Sequence, residues 1–244
     1  MLIPHTFDPE NHLYQVPNEY VWSTGDVIAM NGLSDFGQVP IENLRYATDR
    51  GKGVHVAIQA YEQDEDVQDA VREFEIENET AVMDGVMERM KGYFRFRDEH
   101  DLKLCGRMEQ TRVYKHEGTE ILIGGTIDIP CVLDGAFTIL DPKTCFKNYG
   151  QAAKQTHLKW RMQLQSYKEA VEADEAFWDA MGVIPNSINK AILHLHPNCG
   201  KERGSAPAGF ELHPFNADES HLWDSMIRVA QSKLSSGFKL EKKI

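Results

Sequence analysis

The hydrophobic positions in the first hundred residues recur mainly at helical spacing. Ser, Thr and Asp within residues 23–26 are typical of the start of a short helix that ends near residue 32. Apolar residues three and four apart predict a second helix over residues 41–63 and a third over residues 79–100. The glycines within residues 51–53 leave open whether the second helix is interrupted there.

The pattern changes to short strands from about residue 102. Stretches that alternate or run apolar are separated by residues typical of turns, at 116–118 and at 134–135. The predicted elements are strands over 103–114, 120–132 and 136–141, a helix over 156–173, a hairpin of 190–196 with 209–213, and a closing helix over 217–234. This order predicts an α/β (α+β) fold with a central mixed sheet flanked by helices.

No internal repeat and no long linker divides the chain, so we expect a single domain over residues 1–244. Residues 1–101 are expected to form a mainly helical N-terminal part, and residues 102–244 to supply the sheet and its covering helices. The sequence has no long apolar run and does not start like a signal peptide, which predicts a soluble, cytoplasmic protein with no membrane partner. The four cysteines are widely spaced and are expected to be reduced thiols.

The Asp134-Gly135 turn makes a specific prediction about two acidic residues. Asp-Gly is a strong signal for a two-residue hairpin loop, and such a loop places Asp128 opposite Asp141 with their Cβ atoms about 5 Å apart. Strand alternation puts Lys143 on the same face. Two carboxylates held this close repel each other unless a cation lies between them, so the sequence predicts a divalent metal site beside a lysine.

Other residues of these strands leave alternatives open. Both aspartates also fit an exposed strand end, where they would form turn hydrogen bonds, and Pro130 is typical of a bulge that would shift the register. His194 and His196 share one face of a strand, which suits a second metal site. Because no third ligand is near them in the sequence, we interpret them as part of a hairpin surface.

Positive charge is concentrated in one short segment of an acidic protein. The formal net charge is -12, yet residues 142–168 contain no Asp or Glu. A concentrated basic stripe suits binding to a phosphate backbone, although an ordinary solvated helix face has a similar pattern. The basic residues of this stripe are Lys143, Lys147, Lys154, Lys159, Arg161 and Lys168.

Two further positions have both a functional and a structural interpretation. Gln163 and Tyr167 are four residues apart on the helix after the third strand and therefore share a face, but Tyr167 also fits a hydrophobic core. His55 follows two glycines that permit close approach of a neighbouring backbone. A histidine in a helix is, taken alone, more often structural than a ligand.

Five segments together resemble the RecB-like branch of the PD-(D/E)XK nuclease superfamily, and most closely its small phage and prophage exonuclease-type proteins. They are R-G-K-G-V-H at 50–55, M-E-Q-T-R-V-Y at 108–114, G-G-T-I-D at 124–128, D-P-K-T at 141–144 and Q-L-Q-S-Y at 163–167. The resemblance runs from about Ser23 to the final helix. D-x-K alone is a weak motif, whereas five motifs in the family's order are specific.

The resemblance implies a restriction-endonuclease-like core and a role for each matching residue. The implied ligands of Mg²⁺ or Mn²⁺ are His55, Asp128, Asp141 and the backbone carbonyl of Pro142. Glu109 would be a further acid of the catalytic centre, and Lys143 would orient or activate water and steady the scissile phosphate. Pro142 departs from the family's usual residue between acid and lysine. The cysteines that bind an iron–sulfur cluster in some relatives are missing, so no such cluster is expected.

The resemblance and the basic stripe together indicate how DNA would bind. Gln163 and Tyr167 match the family's Q-x-x-x-Y motif, which helps to hold DNA and the catalytic lysine. The stripe adds Lys147, Lys154, Lys159 and Arg161 as candidate DNA-binding residues.

We therefore expect a magnesium-dependent deoxyribonuclease, most simply an exonuclease that acts on DNA with free ends in phage replication or recombination, in the cytoplasm of a bacterial host. An endonuclease of the same chemistry is the nearest variant. Two alternatives come from other classes: a catalytically silent DNA-binding or scaffold protein on a nuclease fold, and a metal-dependent enzyme for a small phosphorylated substrate. The sequence leaves open the strand polarity, a homo-oligomeric state, and a phage recombinase or annealing protein as partner.

Overall fold

A computed structural model gives the structure of residues 2–9, 11, 13–33, 39–144, 154–182, 185, 187–197 and 209–237. Over these residues the chain combines helices with mixed sheets, which confirms the predicted α/β (α+β) class. None of the helices described is both long and apolar enough to cross a membrane.

The helices and strands are numbered in chain order. The helices are α1 (Thr24–Met30), α2 (Ile41–Glu62), α3 (Val67–Glu77), α4 (Met83–Glu99), α5 (Lys154–Glu172), α6 (Glu175–Met181) and α7 (Ser220–Ser235). The strands are β1 (Thr6–Asp8), β2 (Leu13–Gln15), β3 (Val21–Ser23), β4 (Leu102–Leu104), β5 (Gln110–Lys115), β6 (Leu122–Ile127), β7 (Ile129–Leu133), β8 (Ala136–Thr144), β9 (Asn189–Leu195) and β10 (Phe210–Pro214). They form a β1–β2 pair, a three-stranded sheet in the order β3-β6-β5 and a five-stranded sheet in the order β10-β9-β8-β7-β4.

The hairpin between β7 and β8 has the predicted register. Asp134 and Gly135 have φ angles of 49° and 84°, as both central residues of a type I′ turn require. Pairing then continues without a shift as far as Ile129 opposite Leu140. Pro130 therefore causes no bulge, and the predicted register of the hairpin is confirmed as far as the residues next to Asp128 and Asp141.

The predicted strand over residues 120–132 is wrong in one respect, because it consists of two strands. β6 belongs to the three-stranded sheet and β7 to the five-stranded sheet, and Asp128 lies at the junction. The backbone N–H of Glu109 donates a hydrogen bond of 2.9 Å to the carbonyl of Asp128. The predicted strand over 103–114 divides in the same way into β4 and β5. The chain thus changes sheet at one of the predicted metal ligands.

Helices cover both faces of the five-stranded sheet. α2, α3 and α4 pack on one face, where Leu140 and Leu193 belong to their hydrophobic core. α5 and α6 pack on the other face, against Ile139 and Ile192. Because side chains alternate along a strand, Asp141 lies on the same face as Ile139 and is turned towards α5.

The helical region confirms the predicted second helix, without an interruption, and adds one helix that was not predicted. α2 is continuous through Gly51 and Gly53, and a Cβ at Gly53 would lie 2.9 Å from a methyl of Val86, so this glycine serves the packing of α2 against α4. α3 was not predicted. It is rich in acidic residues and buries only Val71 and Phe74, which leaves too short an apolar stripe to identify a helix by periodicity.

The buried carboxyl group of Glu169 on α5 makes stability depend on pH. Its side chain is 18% exposed, and it accepts hydrogen bonds from Gln165 and Tyr114. Burial raises the pKa of Glu169 from 4.5 to about 7, and the two hydrogen bonds oppose this only in part. As the pH rises, the unfolded chain therefore loses this proton before the folded chain does.

We expect the free energy of unfolding to fall as the pH rises from about 4.5 to about 7, and to stay lower above that range, by on the order of 3 kcal/mol at most. Glu169→Gln removes the ionisation and should remove most of this loss. Urea unfolding of both proteins at about pH 5 and about pH 8 measures the difference. An equal loss of stability in the two proteins would contradict the assignment.

Candidate metal centre

Asp128 and Asp141 are buried close together where β6, β7 and β8 meet, with 6% and 0% of their surface exposed. The Oδ2 atom of each is buried and has no hydrogen-bond partner among the residues whose positions are described. Buried carboxylate oxygens are normally hydrogen-bonded, and metal coordination is one way to satisfy those that are not. The fold thus holds two carboxyl groups in an arrangement that suits a shared cation.

The surroundings of Asp141 disfavour its ionisation. Burial raises the pKa of Asp141 well above its ordinary value, the charge of Lys143 opposes this, and the charge and hydrogen bonding of Asp128 add to it. Without a metal, protonation of Asp141 relieves the repulsion between the two carboxyl groups. A divalent cation would take the place of that proton.

His55 and Glu109 extend the centre on the side of α2. Three ligand atoms, one each from His55, Glu109 and Asp128, lie within 4.8 Å of one another. The ring of His55 is 2.8 Å from Oε1 of Glu109 through Nδ1 and 3.4 Å from the carbonyl oxygen of Pro142 through Nε2. The structure therefore brings His55 and Glu109 to Asp128, and the His55 ring to the carbonyl of Pro142, the residue after Asp141. Asp141 is not among the three residues whose ligand atoms lie within 4.8 Å of one another.

The ionisation of His55 follows from these neighbours. Burial lowers the pKa of His55, but the charge of Asp128 and the hydrogen bond to Glu109 outweigh burial and raise the pKa to about 9. In the metal-free protein the protonated imidazole supplies positive charge among the carboxyl groups. A metal ion and this proton would compete for the same place, because a histidine ligand binds metal in its neutral form.

Lys143 lies where strand alternation predicts it. Its Nζ donates a hydrogen bond of 2.6 Å to Oδ1 of Asp141, and its side chain is 19% exposed. The Lys143 amine thus contacts the buried carboxyl group of Asp141, while part of the side chain is exposed to solvent. It can reach a ligand that approaches from outside.

A cleft of about 610 Å³ opens at Lys143, between α2 and the start of α5. Three lysines line it: Lys52, Lys143 and Lys159. Burial lowers the pKa of Lys159, and the charge of nearby Lys143 adds to this effect. A cleft with this lining attracts anions such as phosphate.

The predicted DNA-binding lysines and arginine have different surroundings. Lys159 lines the cleft, and Lys154 is exposed at the first position of α5. Arg161 forms an ion pair with Glu219, so part of its charge is neutralised within the protein. Lys147 lies outside the described residues. The basic stripe of the sequence therefore does not form one uniform face over the part of it that the structure describes.

Gln163 and Tyr167 share a face of α5, as predicted, and Gln163 donates a hydrogen bond of 2.7 Å to the hydroxyl of Tyr167. Tyr167 is only 5% exposed. Burial raises its pKa well above the ordinary value, and the charges of Asp128 and Asp141 add to this. The Tyr167 side chain therefore lies inside the protein, close to the carboxyl groups of Asp128 and Asp141, and has little exposed surface that DNA could contact.

His194 and His196 lie in the protein interior, so their interpretation as a hairpin surface is wrong. They are 0% and 8% exposed, because α5 covers this face of the hairpin. Their ring centroids are 5.7 Å apart, and the ring of Trp160 on α5 is 6.5 Å from that of His194.

Tyr14 is a residue of the centre that the sequence did not predict. Its hydroxyl is 2.8 Å from Oγ1 of Thr126, and its ring covers Gly124. Burial raises the pKa of Tyr14 to about 12. The hydrogen bond with Thr126 opposes this increase, and the charges of Asp128 and Glu109 add smaller increases. A glycine inside a strand indicates that another group approaches the backbone closely. Gly124 is therefore the feature of the sequence that indicates a neighbour at this position, without identifying it as Tyr14.

Gly124→Ala should lower the free energy of unfolding by about 1–3 kcal/mol, because overpacking forces neighbouring groups to move. A Cβ at Gly124 would lie 2.4 Å from Cγ of Tyr14. Gly25→Ala in α1 is a matched control, since its Cβ would meet only Oγ of Ser23, at 3.5 Å. Urea unfolding measures both changes. If Gly124→Ala costs no more stability than Gly25→Ala, the ring of Tyr14 does not pack on this strand as described.

Comparisons with known proteins leave the function to be inferred from the site. No protein-family model matches the chain, and no curated protein matches it. Among solved structures, the chain is similar to the crystal structure of SSO0001, with 13% sequence identity and a TM-score of 0.41. That match covers 93% of this chain and 81% of the other.

Proposed function

We propose that this chain is a metal-dependent DNA nuclease that hydrolyses phosphodiester bonds on a restriction-endonuclease-like core. The observation that carries the proposal is the pair of buried carboxyl groups of Asp128 and Asp141, beside the amine of Lys143 in a lysine-lined cleft. Buried, closely spaced acids destabilise a core. A function that requires them is the simplest reason for their presence.

The available donor atoms fit Mg²⁺ or Mn²⁺. Carboxylate and carbonyl oxygens with a single imidazole favour these ions over zinc. The candidate ligands are Asp128, Asp141, His55 and the carbonyl of Pro142, and the buried Oδ2 atoms of both aspartates are available for coordination. When bound, the ion would neutralise charge on the scissile phosphate and lower the pKa of a water molecule.

The side chains around these ligands have separate roles. Lys143 can donate a hydrogen bond to the attacking water or to a phosphate oxygen, because its amine is 2.6 Å from Asp141 and partly open to solvent. Glu109 fixes the orientation of the His55 ring through a 2.8 Å contact. Tyr167, which accepts a hydrogen bond from Gln163, lies beside the two carboxyl groups on the side of α5.

The charge of the cleft favours a polymeric substrate over a small phosphorylated molecule. Lys52 and Lys159 line the cleft on α2 and α5, and Lys154 is exposed at the first position of α5. Positive charge thus lies on both helices that border the cleft at Lys143. A nucleic-acid backbone, with phosphates in a row, uses such an arrangement fully.

The proposed setting follows from the sequence resemblance. The protein would act in the cytoplasm of a bacterial host, as an exonuclease on DNA with free ends, in phage replication or recombination. A phage recombinase or annealing protein is the partner class that suits this role, and a homo-oligomer would help the enzyme to retain its DNA.

Incubation of the purified protein with end-labelled linear DNA and with closed circular DNA tests the proposal. We expect Mg²⁺ or Mn²⁺ to support degradation of linear DNA, and a chelator to stop it. Nicked circles would show an endonuclease of the same chemistry. Binding of DNA without cleavage in either metal would support a silent DNA-binding protein, and the absence of both binding and cleavage would overturn the proposal.

A further inference from the structure

Two acids of the metal centre stand at one end of the paired strands β5 and β6. Thr111 on β5 lies opposite Thr126 on β6, and opposite residues of an antiparallel pair share a face. Two residues beyond this threonine pair, the backbone N–H of Glu109 donates a hydrogen bond of 2.9 Å to the carbonyl of Asp128. The position of the threonine pair therefore influences where Glu109 and Asp128 leave the sheet.

The N-terminal segment contacts both members of the threonine pair. The hydroxyl of Tyr14 on β2 is 2.8 Å from Oγ1 of Thr126. Nε2 of His5 is 3.3 Å from Oγ1 of Thr111, and the ring centroids of His5 and Tyr14 are 6.2 Å apart. Two neighbouring side chains from the start of the chain thus hold one pair of residues next to the metal centre.

The ring of Tyr14 has little room to move. It is 6% exposed and packs in a hydrophobic cluster with Val113 and Leu122. It also covers Gly124, where a Cβ would lie 2.4 Å from Cγ of the ring. A hydroxyl on a ring fixed in this way can hold its hydrogen-bond partner, Thr126, in one position.

The hydroxyl of Tyr14 is also close to the acids themselves. Burial raises the pKa of Tyr14 most, and the charges of Asp128 and Glu109 add to the increase. On the other side of β6, a Cβ at Gly125 would lie 2.9 Å from Cε1 of Tyr167. Because successive residues of a strand face opposite sides, the two tyrosines enclose the end of β6 that leads to Asp128.

We propose that Tyr14 is a positioning residue of the metal centre, which acts through Thr126 to hold Asp128 where it binds the ion. The inference rests on the proposed nuclease function, because that function makes Asp128 a metal ligand. Groups that orient a ligand in advance strengthen metal binding without touching the ion. The N-terminal segment is then part of the nuclease site, although it supplies no ligand.

Tyr14→Phe removes the hydroxyl and leaves the ring over Gly124. We expect it to weaken Mn²⁺ binding by the full chain about tenfold, because loss of a contact that orients a metal ligand typically has this effect. The kcat for linear DNA should fall by a similar factor at a fixed, low Mn²⁺ concentration. The KM for DNA should change little, since the lysines of the cleft are untouched. Equilibrium dialysis against Mn²⁺ measures the affinity without any assay of activity.

Substitutions of Thr126 test whether Tyr14 acts through it. Thr126→Val removes the partner hydroxyl and should weaken Mn²⁺ binding as much as Tyr14→Phe does. The double variant should bind Mn²⁺ no more weakly than either single variant, because both changes break the same contact. Thr126→Ser keeps a hydroxyl and should retain the Mn²⁺ affinity of the wild type. Additive losses in the double variant would contradict action through Thr126.

Tyr93→Phe is the matched control. Tyr93 is a fully buried tyrosine, and its hydroxyl donates a hydrogen bond of 2.8 Å to Glu62 in the helical region. Its loss should lower the free energy of unfolding but change neither Mn²⁺ affinity nor kcat. Urea unfolding in chelator checks that every variant is folded.

The outcomes separate this inference from the proposed function. If the wild type binds Mn²⁺ and cleaves DNA, and Tyr14→Phe does both equally well, the role of Tyr14 is overturned and the nuclease proposal stands. If Tyr93→Phe weakens Mn²⁺ binding as much as Tyr14→Phe, the effect is one of general stability and the role of Tyr14 is again overturned. A wild-type chain that binds no Mn²⁺ would overturn both proposals.

Discussion

Asp141→Asn is expected to lower the rate of DNA hydrolysis by about 10³-fold. Loss of a metal-binding carboxylate removes several kcal/mol of transition-state stabilisation, and about 1.4 kcal/mol corresponds to a tenfold change in rate. The free energy of unfolding of the metal-free protein should instead increase. Asp141 is fully buried next to Asp128, and its pKa is raised well above the ordinary value, so a neutral side chain removes a repulsion from the metal-free protein.

Rates under saturating Mg²⁺ and urea unfolding in chelator measure the two effects of Asp141→Asn. Asp101→Asn is the control, because Asp101 is an acid with a 66% exposed side chain that pairs only with Lys103 among the ion pairs of the described residues. It should leave the rate unchanged. An Asp141→Asn protein that retains its activity, or that loses activity because it no longer folds, would contradict a catalytic role for this buried acid.

Lys143→Met is expected to lower kcat by roughly 10²–10³-fold while DNA binding persists, because loss of one well-placed donor typically has this effect. The amine contacts Oδ1 of Asp141 at 2.6 Å and is therefore held at the reactive end of the cleft. A change in kcat without a comparable change in KM identifies an interaction made in the transition state.

Lys159→Met separates this role from general attraction of phosphate. Lys159 lines the same cleft on α5, and its substitution should mainly raise KM and reduce the salt dependence of binding. Lys103→Met controls for loss of an exposed lysine, since 74% of that side chain is exposed. If Lys143→Met and Lys159→Met have the same kinetic profile, Lys143 only attracts the substrate.

The residues that sequence reasoning placed correctly are those governed by local rules. Asp134 and Gly135 adopt positive φ angles, which Asp tolerates and which Gly adopts readily because it has no Cβ, and this turn sets the register of β7 against β8. Alternation along β8 then sets Asp141 and Lys143 on one face. No long-range contact is needed for either step.

The features that sequence reasoning missed depend on contacts between distant segments. The break at Asp128 arises because β6 and β7 join different sheets, and the hydrophobic pattern of residues 120–132 does not reveal that change. Gly124 indicates a close neighbour but does not identify Tyr14, which lies in β2, more than a hundred residues earlier in the chain. Burial of His194 likewise depends on α5 lying over the hairpin.

Anomalous diffraction from crystals soaked in Mn²⁺ tests the central claim most directly, because it locates the ion without any assay of activity. We expect a peak roughly 2.0–2.3 Å from carboxylate oxygens of both Asp128 and Asp141, on the side of His55 and the carbonyl of Pro142. An ion bound only elsewhere at saturating Mn²⁺, with no peak between the two carboxyl groups, would contradict the proposed metal centre.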